Sequence, residues 1–186
     1  MKKHLYLAFN KPYGILSQFT SEKMEETLSN FNLPKDIYAC GRLDKDSEGL
    51  LLLTNDGELI DRLLNPKNDK VKTYWVQVEK IPSLEDLKKL AAGVKISDYQ
   101  TKPCKVKILD PQPILTDRNP PVRTRLTVPT CWIEIVLTEG KNRQVRRMTA
   151  AIGFPTLRLI RKKIGKLELA DLAPGEFREI KKSEII

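Results

Sequence analysis

Apolar and polar positions along the chain fall into short blocks that predict strands. Leu50 to Leu53 is an uninterrupted apolar run between Gly49 and the turn signal Asn55-Asp56-Gly57, which favours a fully buried strand. Residues 131–138 alternate in period two, which is typical of a half-buried strand. Further strands are predicted over residues 5–9, 38–43, 74–78, 104–109, 157–162, 166–169 and 176–180.

Three segments carry the period of a helix instead. Glu58 to Leu64 stops near a proline, and residues 143–152 end at Gly153 and Pro155. Ser83 to Ala92 begins with a Ser that has an acidic residue three positions later, the pattern of a capping box, and it stops at Gly93. Strands and helices together predict an α+β protein with a mixed, mostly antiparallel sheet.

Two stretches between these elements bear on the organisation of the chain. The polar residues 65–70 indicate a connector between two lobes of one domain spanning 1–186, with approximate bounds 1–67 plus 147–186, and 70–146. Residues 111–129 hold five prolines and therefore predict a long loop. The loop also carries Arg118, Arg123 and Arg125, which favours contact with a polyanion such as RNA over an idle connection.

Charge is concentrated in one segment. The net charge is +9, and the segment from Lys141 to Lys166 contains nine basic and no acidic residues, while the rest of the chain is neutral. A localised positive field is typical of a protein that binds a polyanion, although a solvated basic face has the same composition. The three cysteines are far apart, which indicates neither a metal site nor a disulfide framework and favours a reducing, cytoplasmic location. No apolar run approaches the ~18 residues needed to cross a membrane.

The candidate chemistry lies just before the leucine run. Asp44 falls in a loop beside the buried strand, where a carboxylate is held rigidly and partly dried, although most charged loops are solvated turns. Asp46 and Glu48 follow it, and paired carboxylates also serve glycoside hydrolysis. The basic segment suits RNA better than a neutral sugar, so these two residues are interpreted as bracing the loop.

Three blocks in order resemble one enzyme family. They are residues 41–49, the triplet Lys72-Thr73-Tyr74, and residues 139–148. Together they resemble the family of ribosomal small-subunit pseudouridine synthase A, whose members isomerise uridine in RNA. The resemblance implies the pseudouridine synthase catalytic fold, with two lobes flanked by helices and an active-site cleft between them. It also implies a reaction that requires no metal and no cofactor.

The resemblance assigns roles to individual residues. It implies that Asp44 is the catalytic group, that Tyr74 stacks on the target base, and that Arg146 pairs with the aspartate. A nearby cation would keep a buried Asp ionised, because it lowers a pKa that burial raises. Three routes stay open for Asp44, which are attack at C1′, attack at the base, and a glycal route. Tyr74 also fits a residue packed in the core, and Arg146 also fits a solvated helix face.

Basic residues are the candidates for binding the substrate. They are Arg42, Arg143, Arg147, Arg158 and Arg161. Arg42 either orients a phosphate or occupies the space left by the flipped nucleotide. The second of these roles is taken from the family.

Other features narrow the substrate. Many family members begin with an S4-type RNA-binding domain, and here the first catalytic strand begins by about residue 5, so none is expected. Residues 118–123, 129–132 and 153–161 resemble members that act on large-subunit rRNA. The expected protein is a cytoplasmic monomer whose partner is that rRNA. The rival hypothesis is a non-catalytic RNA-binding factor for ribosome assembly.

Overall fold

The computed structural model describes residues 4–23, 25–65, 70–123, 125 and 127–186. The strands are β1 Tyr6–Lys11, β2 Tyr38–Ala39, β3 Glu48–Thr54, β4 Lys72–Glu79, β5 Lys95–Ile96, β6 Tyr99–Gln100, β7 Lys105–Ile108, β8 Thr130–Leu137, β9 Thr156–Ile164, β10 Leu167–Glu168 and β11 Phe177–Glu179. The α-helices are α1 Gly57–Leu64, α2 Leu84–Ala92 and α3 Gln144–Ala151. Short 3-10 turns lie at Leu28–Asn30 and Lys182–Glu184.

The chain divides into two units. Unit 1 contains Met1–Lys70 and Arg161–Ile186, and unit 2 contains Val71–Ile160. Strand β9 therefore begins in unit 2 and ends in unit 1.

The sheet of unit 1 is built on β3, whose seven residues are all buried. β1 pairs antiparallel with β3 on one side and with β11 on the other, and β2 also pairs with β3. Phe9, Leu51 and Leu53 pack with Ile15 and Leu28 in one apolar cluster. The buried leucine run predicted from the sequence is thus confirmed as the central strand of this unit.

In unit 2, β8 is flanked by β4 and β7, and both pairings are antiparallel. The inward side chains of β4 and β8, together with Leu87 and Leu90 of α2, form the core of the unit. The predicted capping box at the start of α2 is confirmed, because Ser83 Oγ accepts from Asp86 N at 3.2 Å while Asp86 accepts from Ser83 N at 3.0 Å. These elements confirm an α+β protein with a mostly antiparallel sheet.

One carboxylate joins three parts of unit 1. Asp56 is the N-cap of α1 and accepts from Leu59 N at 3.0 Å. It also accepts from Tyr6 Oη of β1 and from Lys182 Nζ of the last 3-10 turn, each at 2.8 Å. The hydrogen bond from Lys182 holds the pKa of Asp56 well below its usual range.

The structure differs from the sequence predictions in three places. The strand predicted over 38–43 ends at Ala39, and the chain bends two residues later at Gly41, which has a left-handed φ of 84°. The hairpin of β5 and β6 was not predicted. Unit 2 continues to Ile160, past the approximate lobe bound of 146, because Met148, Phe154 and Leu159 are part of its core.

Two further predictions touch residues outside those described. The connector predicted at 65–70 includes 66–69, and the loop predicted over 111–129 includes 124 and 126. None of the helices in the described part of the chain combines the length and the hydropathy that a membrane span requires.

Candidate functional site

Asp44 lies in a turn that leads directly into β3. Its carbonyl accepts from Ser47 N at 3.0 Å, and its side chain is half-buried. The next strand begins at Glu48, so the turn is attached to the most deeply buried element of unit 1. The sequence prediction of a carboxylate on a short loop beside a buried strand is therefore confirmed.

Residues 14–17, also in unit 1, brace this turn through hydrogen bonds. Gly14 N donates to the carbonyl of Lys45 at 2.8 Å. Ser17 Oγ donates to the carbonyl of Leu43 at 2.8 Å and accepts from Leu43 N at 3.0 Å. Both neighbours of Asp44 are thus held by hydrogen bonds to their backbone groups.

Lys11 holds that bracing segment in turn. Its side chain is 0% exposed, and Nζ donates to the carbonyls of Pro12 and Ile15 at 2.8 Å each. Burial lowers the pKa of Lys11 to about 8, against an opposing effect of the nearby carboxylates Glu48, Asp46 and Asp44. The turn after Lys11 is therefore built around a buried amine.

Arg161 is not a surface cation. It is 4% exposed, and its Nε donates to the carbonyl of Leu50 at 2.8 Å, while Nη1 lies 3.4 Å from the carbonyl of Arg42. This environment does not fit the direct RNA contact predicted for Arg161. The physical reason is that the side chain satisfies carbonyls of β3 and of the segment before Asp44.

Arg42 itself has the opposite environment. Its side chain is exposed, and Nη2 donates to Gln18 Oε1 at 3.2 Å. It lies in unit 1, as Asp44 does, and it is accessible to a polyanion in the way that the sequence predicted.

Tyr74 lies in β4, directly opposite Ile135 of β8. It is 9% exposed and belongs to the apolar core of unit 2. The alternative of a core residue therefore fits its surroundings, while its role toward a base stays a prediction.

The helix α3 carries three of the predicted basic residues. Arg143 is its N-cap, with a left-handed φ of 51°, and its side chain is exposed. Arg146 is half-buried, and its Nη1 lies 3.4 Å from the carbonyl of Thr156. Arg147 is exposed and lies 3.4 Å from Asn142 Oδ1. One turn of unit 2 thus presents exposed cations on both sides of a more enclosed one.

Arg158 resembles Arg161 and not the arginines of α3. It is 6% exposed, and its Nη1 donates to the carbonyl of Thr116 at 2.9 Å. It therefore anchors the proline-rich loop of unit 2, which does not fit the direct RNA contact predicted from its charge.

Sequence reasoning missed the groups that hold the segment before α3. Glu139 accepts hydrogen bonds from Tyr99 Oη and from the buried Gln144 side chain, and from Lys102 N at 3.0 Å. Gln144 Oε1 in turn accepts from Lys141 N at 2.8 Å. Tyr99 and Lys102 lie far from Glu139 in the sequence, so no local pattern indicates these two contacts.

The described residues contain no group of three His, Cys, Asp or Glu side chains arranged to hold a metal ion. The three cysteines are free, and burial raises the pKa of Cys40 and Cys104 to about 11. A thiol with so high a pKa is a poor nucleophile, so Cys40 and Cys104 fit a packing role.

Comparison with known proteins gives consistent matches. A model of the RNA pseudouridylate synthase family matches residues 5–151. Ribosomal large subunit pseudouridine synthase E of Vibrio parahaemolyticus is 54% identical over 174 residues, which are 94% of this chain and 73% of that protein. The synthase E of Xanthomonas axonopodis pv. citri is 56% identical over 172 residues, covering 91% of this chain and 90% of that protein.

A solved structure supports the same assignment. The crystal structure of a pseudouridylate synthase is 31% identical, with a TM-score of 0.78 over 100% of this chain and 74% of that one. These matches confirm the resemblance and the catalytic fold predicted from the three sequence blocks. The chain belongs to the RNA pseudouridylate synthase family.

Proposed function

We propose that this protein isomerises a specific uridine of large-subunit rRNA to pseudouridine. Membership of the family makes it an RNA pseudouridine synthase. The observation that carries the choice of substrate is its identity of 54% and 56% to two proteins named as large subunit pseudouridine synthase E. The exposed cations of α3 support an RNA partner, because they can neutralise phosphates.

The reaction moves uracil without adding or removing atoms. The N1–C1′ bond breaks, a C5–C1′ bond forms, the C5 proton leaves and N1 gains a proton. We assign Asp44 as the group that starts this exchange, by attack at C1′, by attack at the base, or through a glycal. Its half-buried carboxylate on a braced turn supports the assignment, because a fixed catalytic group lowers the entropic part of the barrier.

Tyr74 and Arg146 have supporting roles in this proposal. Tyr74 stacks on the extruded base, and a base on an aromatic ring gains about 1–3 kcal/mol, which offsets part of the cost of flipping. Arg146 pairs with the carboxylate of Asp44, as the family resemblance implies. Both assignments, and the pairing of Arg146 with Asp44, stay predictions.

The basic residues divide into two groups in this proposal. Arg42, Arg143 and Arg147 are exposed and contact RNA phosphates. Arg158 and Arg161 are buried and donate to backbone carbonyls, so they support the proline-rich loop and strand β3 respectively. A cytoplasmic monomer stays the expected form of the protein.

The first experiment is tritium release from rRNA labelled at uridine C5, with large- and small-subunit RNA supplied separately. Wild type is expected to release tritium from large-subunit RNA, and Asp44→Asn to lose at least about 10³-fold of that rate with RNA affinity kept within a few-fold. Asp46→Asn makes the same chemical change two residues away and is the matched control.

Each outcome distinguishes one part of the proposal. Release by Asp44→Asn at the wild-type rate would show that Asp44 is not the catalytic group. Release from small-subunit RNA alone would contradict the substrate. Binding without release from either RNA, with wild-type protein, would favour the assembly-factor hypothesis.

A further inference from the structure

Ser17 is buried next to the turn that carries Asp44. It is 6% exposed, and its hydroxyl contacts both backbone polar groups of Leu43, which is itself 8% exposed. The hydroxyl donates to the carbonyl at 2.8 Å and accepts from the amide at 3.0 Å. The Ser17 hydroxyl therefore satisfies both the N–H and the C=O of Leu43, as a paired strand would, at the residue immediately before Asp44.

Backbone hydrogen bonds hold the residues on both sides of Ser17. Leu16 N donates to the carbonyl of Glu26 at 2.9 Å, and Leu28 N donates to the carbonyl of Gln18 at 2.9 Å. Leu28 is fully buried in the core of unit 1. Because residues 16 and 18 are held in place, the Ser17 hydroxyl fixes the backbone of Leu43 relative to the core of unit 1.

We propose that Ser17 is a positioning residue, which sets the location of the Asp44 carboxylate through both backbone groups of Leu43. This inference rests on the proposed catalytic role of Asp44. A side chain that touches no substrate acts here by fixing the peptide from which the catalytic group projects. Misplacement of a catalytic group by about 1 Å can lower a rate by about 10²-fold, so the expected effect is on turnover.

The same turn supplies a matched control. Ser47 is 1% exposed, and its Oγ has no hydrogen-bond partner among the residues that the structure describes. Ser17→Ala and Ser47→Ala therefore remove the same buried hydroxyl from the same region. The first loses two hydrogen bonds to Leu43, and the second loses none.

The test measures kcat and KM for tritium release at a temperature where circular dichroism shows each variant folded. Ser17→Ala is expected to lower kcat by about 10- to 100-fold with KM within about threefold of wild type. Ser47→Ala is expected to keep kcat within about twofold. Ser17→Thr retains the hydroxyl and is expected to recover most of the lost turnover.

Several results would overturn the inference. They are a Ser17→Ala variant with wild-type kcat, equal losses in Ser17→Ala and Ser47→Ala, and a Ser17→Thr variant as slow as Ser17→Ala. If Ser17→Ala does not fold, Ser17→Cys replaces it, since a thiol is a weaker donor and acceptor and is expected to give an intermediate kcat. A Cys variant with wild-type kcat would then overturn the inference.

The parent proposal fails in a different way. Asp44→Asn in the same assay must be inactive if Asp44 is catalytic. An active Asp44→Asn contradicts the role of Asp44 whatever Ser17 does, while an inactive Asp44→Asn beside a fully active Ser17→Ala contradicts only the positioning role.

Discussion

The two ends of the basic segment differ in what their arginines contact. At the start, Arg143 and Arg147 are exposed on and beside α3. At the other end, Arg158 and Arg161 are almost fully buried, and each donates to a backbone carbonyl. A run of positive charge is therefore not one surface, because a guanidinium can serve the protein's own carbonyls as well as a phosphate.

For this comparison the largest expected effect comes from removing the buried guanidinium of Arg161. Arg161→Met leaves the carbonyls of Leu50 and Arg42 without this donor and is expected to lower the free energy of unfolding by about 2–4 kcal/mol. Turnover is expected to fall about 10-fold, because the segment before Asp44 loses a fixed point. Urea unfolding and the tritium assay measure the two effects.

An exposed arginine is the control for that change. Arg147→Met is expected to alter unfolding by no more than about 0.5 kcal/mol. Arg161→Lys should not restore stability, because an ammonium lacks the planar fork that reaches two carbonyls. Equal stability losses at positions 147 and 161 would contradict the distinction between the two ends.

A third buried cation gives a dependence on pH. The pKa of Lys11 is lowered by burial from 10.5 to about 8, so between these pH values the unfolded chain binds more protons at this residue than the folded chain does. The contribution of Lys11 to stability therefore increases with pH across this window, by at most about 3 kcal/mol. The measurement is the free energy of unfolding at several pH values, for wild type and for Lys11→Met.

Because other groups also titrate at alkaline pH, only the difference between the two proteins is informative. Wild type should gain stability relative to Lys11→Met as the pH rises from 8 to 10.5. A constant difference would mean that the folded protein does not lower the pKa of Lys11.

The smallest expected effect concerns RNA alone. Arg147→Ala should reduce the slope of log binding constant against log salt by about 1, since one phosphate contact is lost. Arg158→Ala should leave that slope unchanged, because its guanidinium holds the carbonyl of Thr116. Filter binding from low to moderate salt compares the two, and an equal drop in both slopes would place Arg158 in the interface.

The elements that could be predicted from sequence are those with local causes. The helix at Ser83 to Ala92 carries its capping residues within four positions, and the leucine run of β3 is its own evidence of burial. The sequence also shows Gly41, which follows the early end of β2, but a glycine in a sequence does not reveal that its φ is positive.

The site was less predictable because its supports are distant in sequence and generic in kind. Asp44 lies on the loop that the sequence indicated, whereas Arg161 meets the carbonyl of Leu50, which is 111 positions away. Ser17 reaches Leu43 across 26 positions. Every residue has a backbone carbonyl, so no sequence pattern indicates which carbonyl a buried arginine or serine will bind.

The division of the chain into units has a consequence for the order in which it can fold during translation. Unit 2 is contiguous, so β4 to β8 and the part of β9 that belongs to this unit have been synthesised once residue 160 is made. Unit 1 also needs residues 161–186, because β1 pairs with β11 and Asp56 bonds Lys182. The turn that carries Asp44 therefore acquires its Arg161 support only late in synthesis, after the core of unit 2 has been able to form.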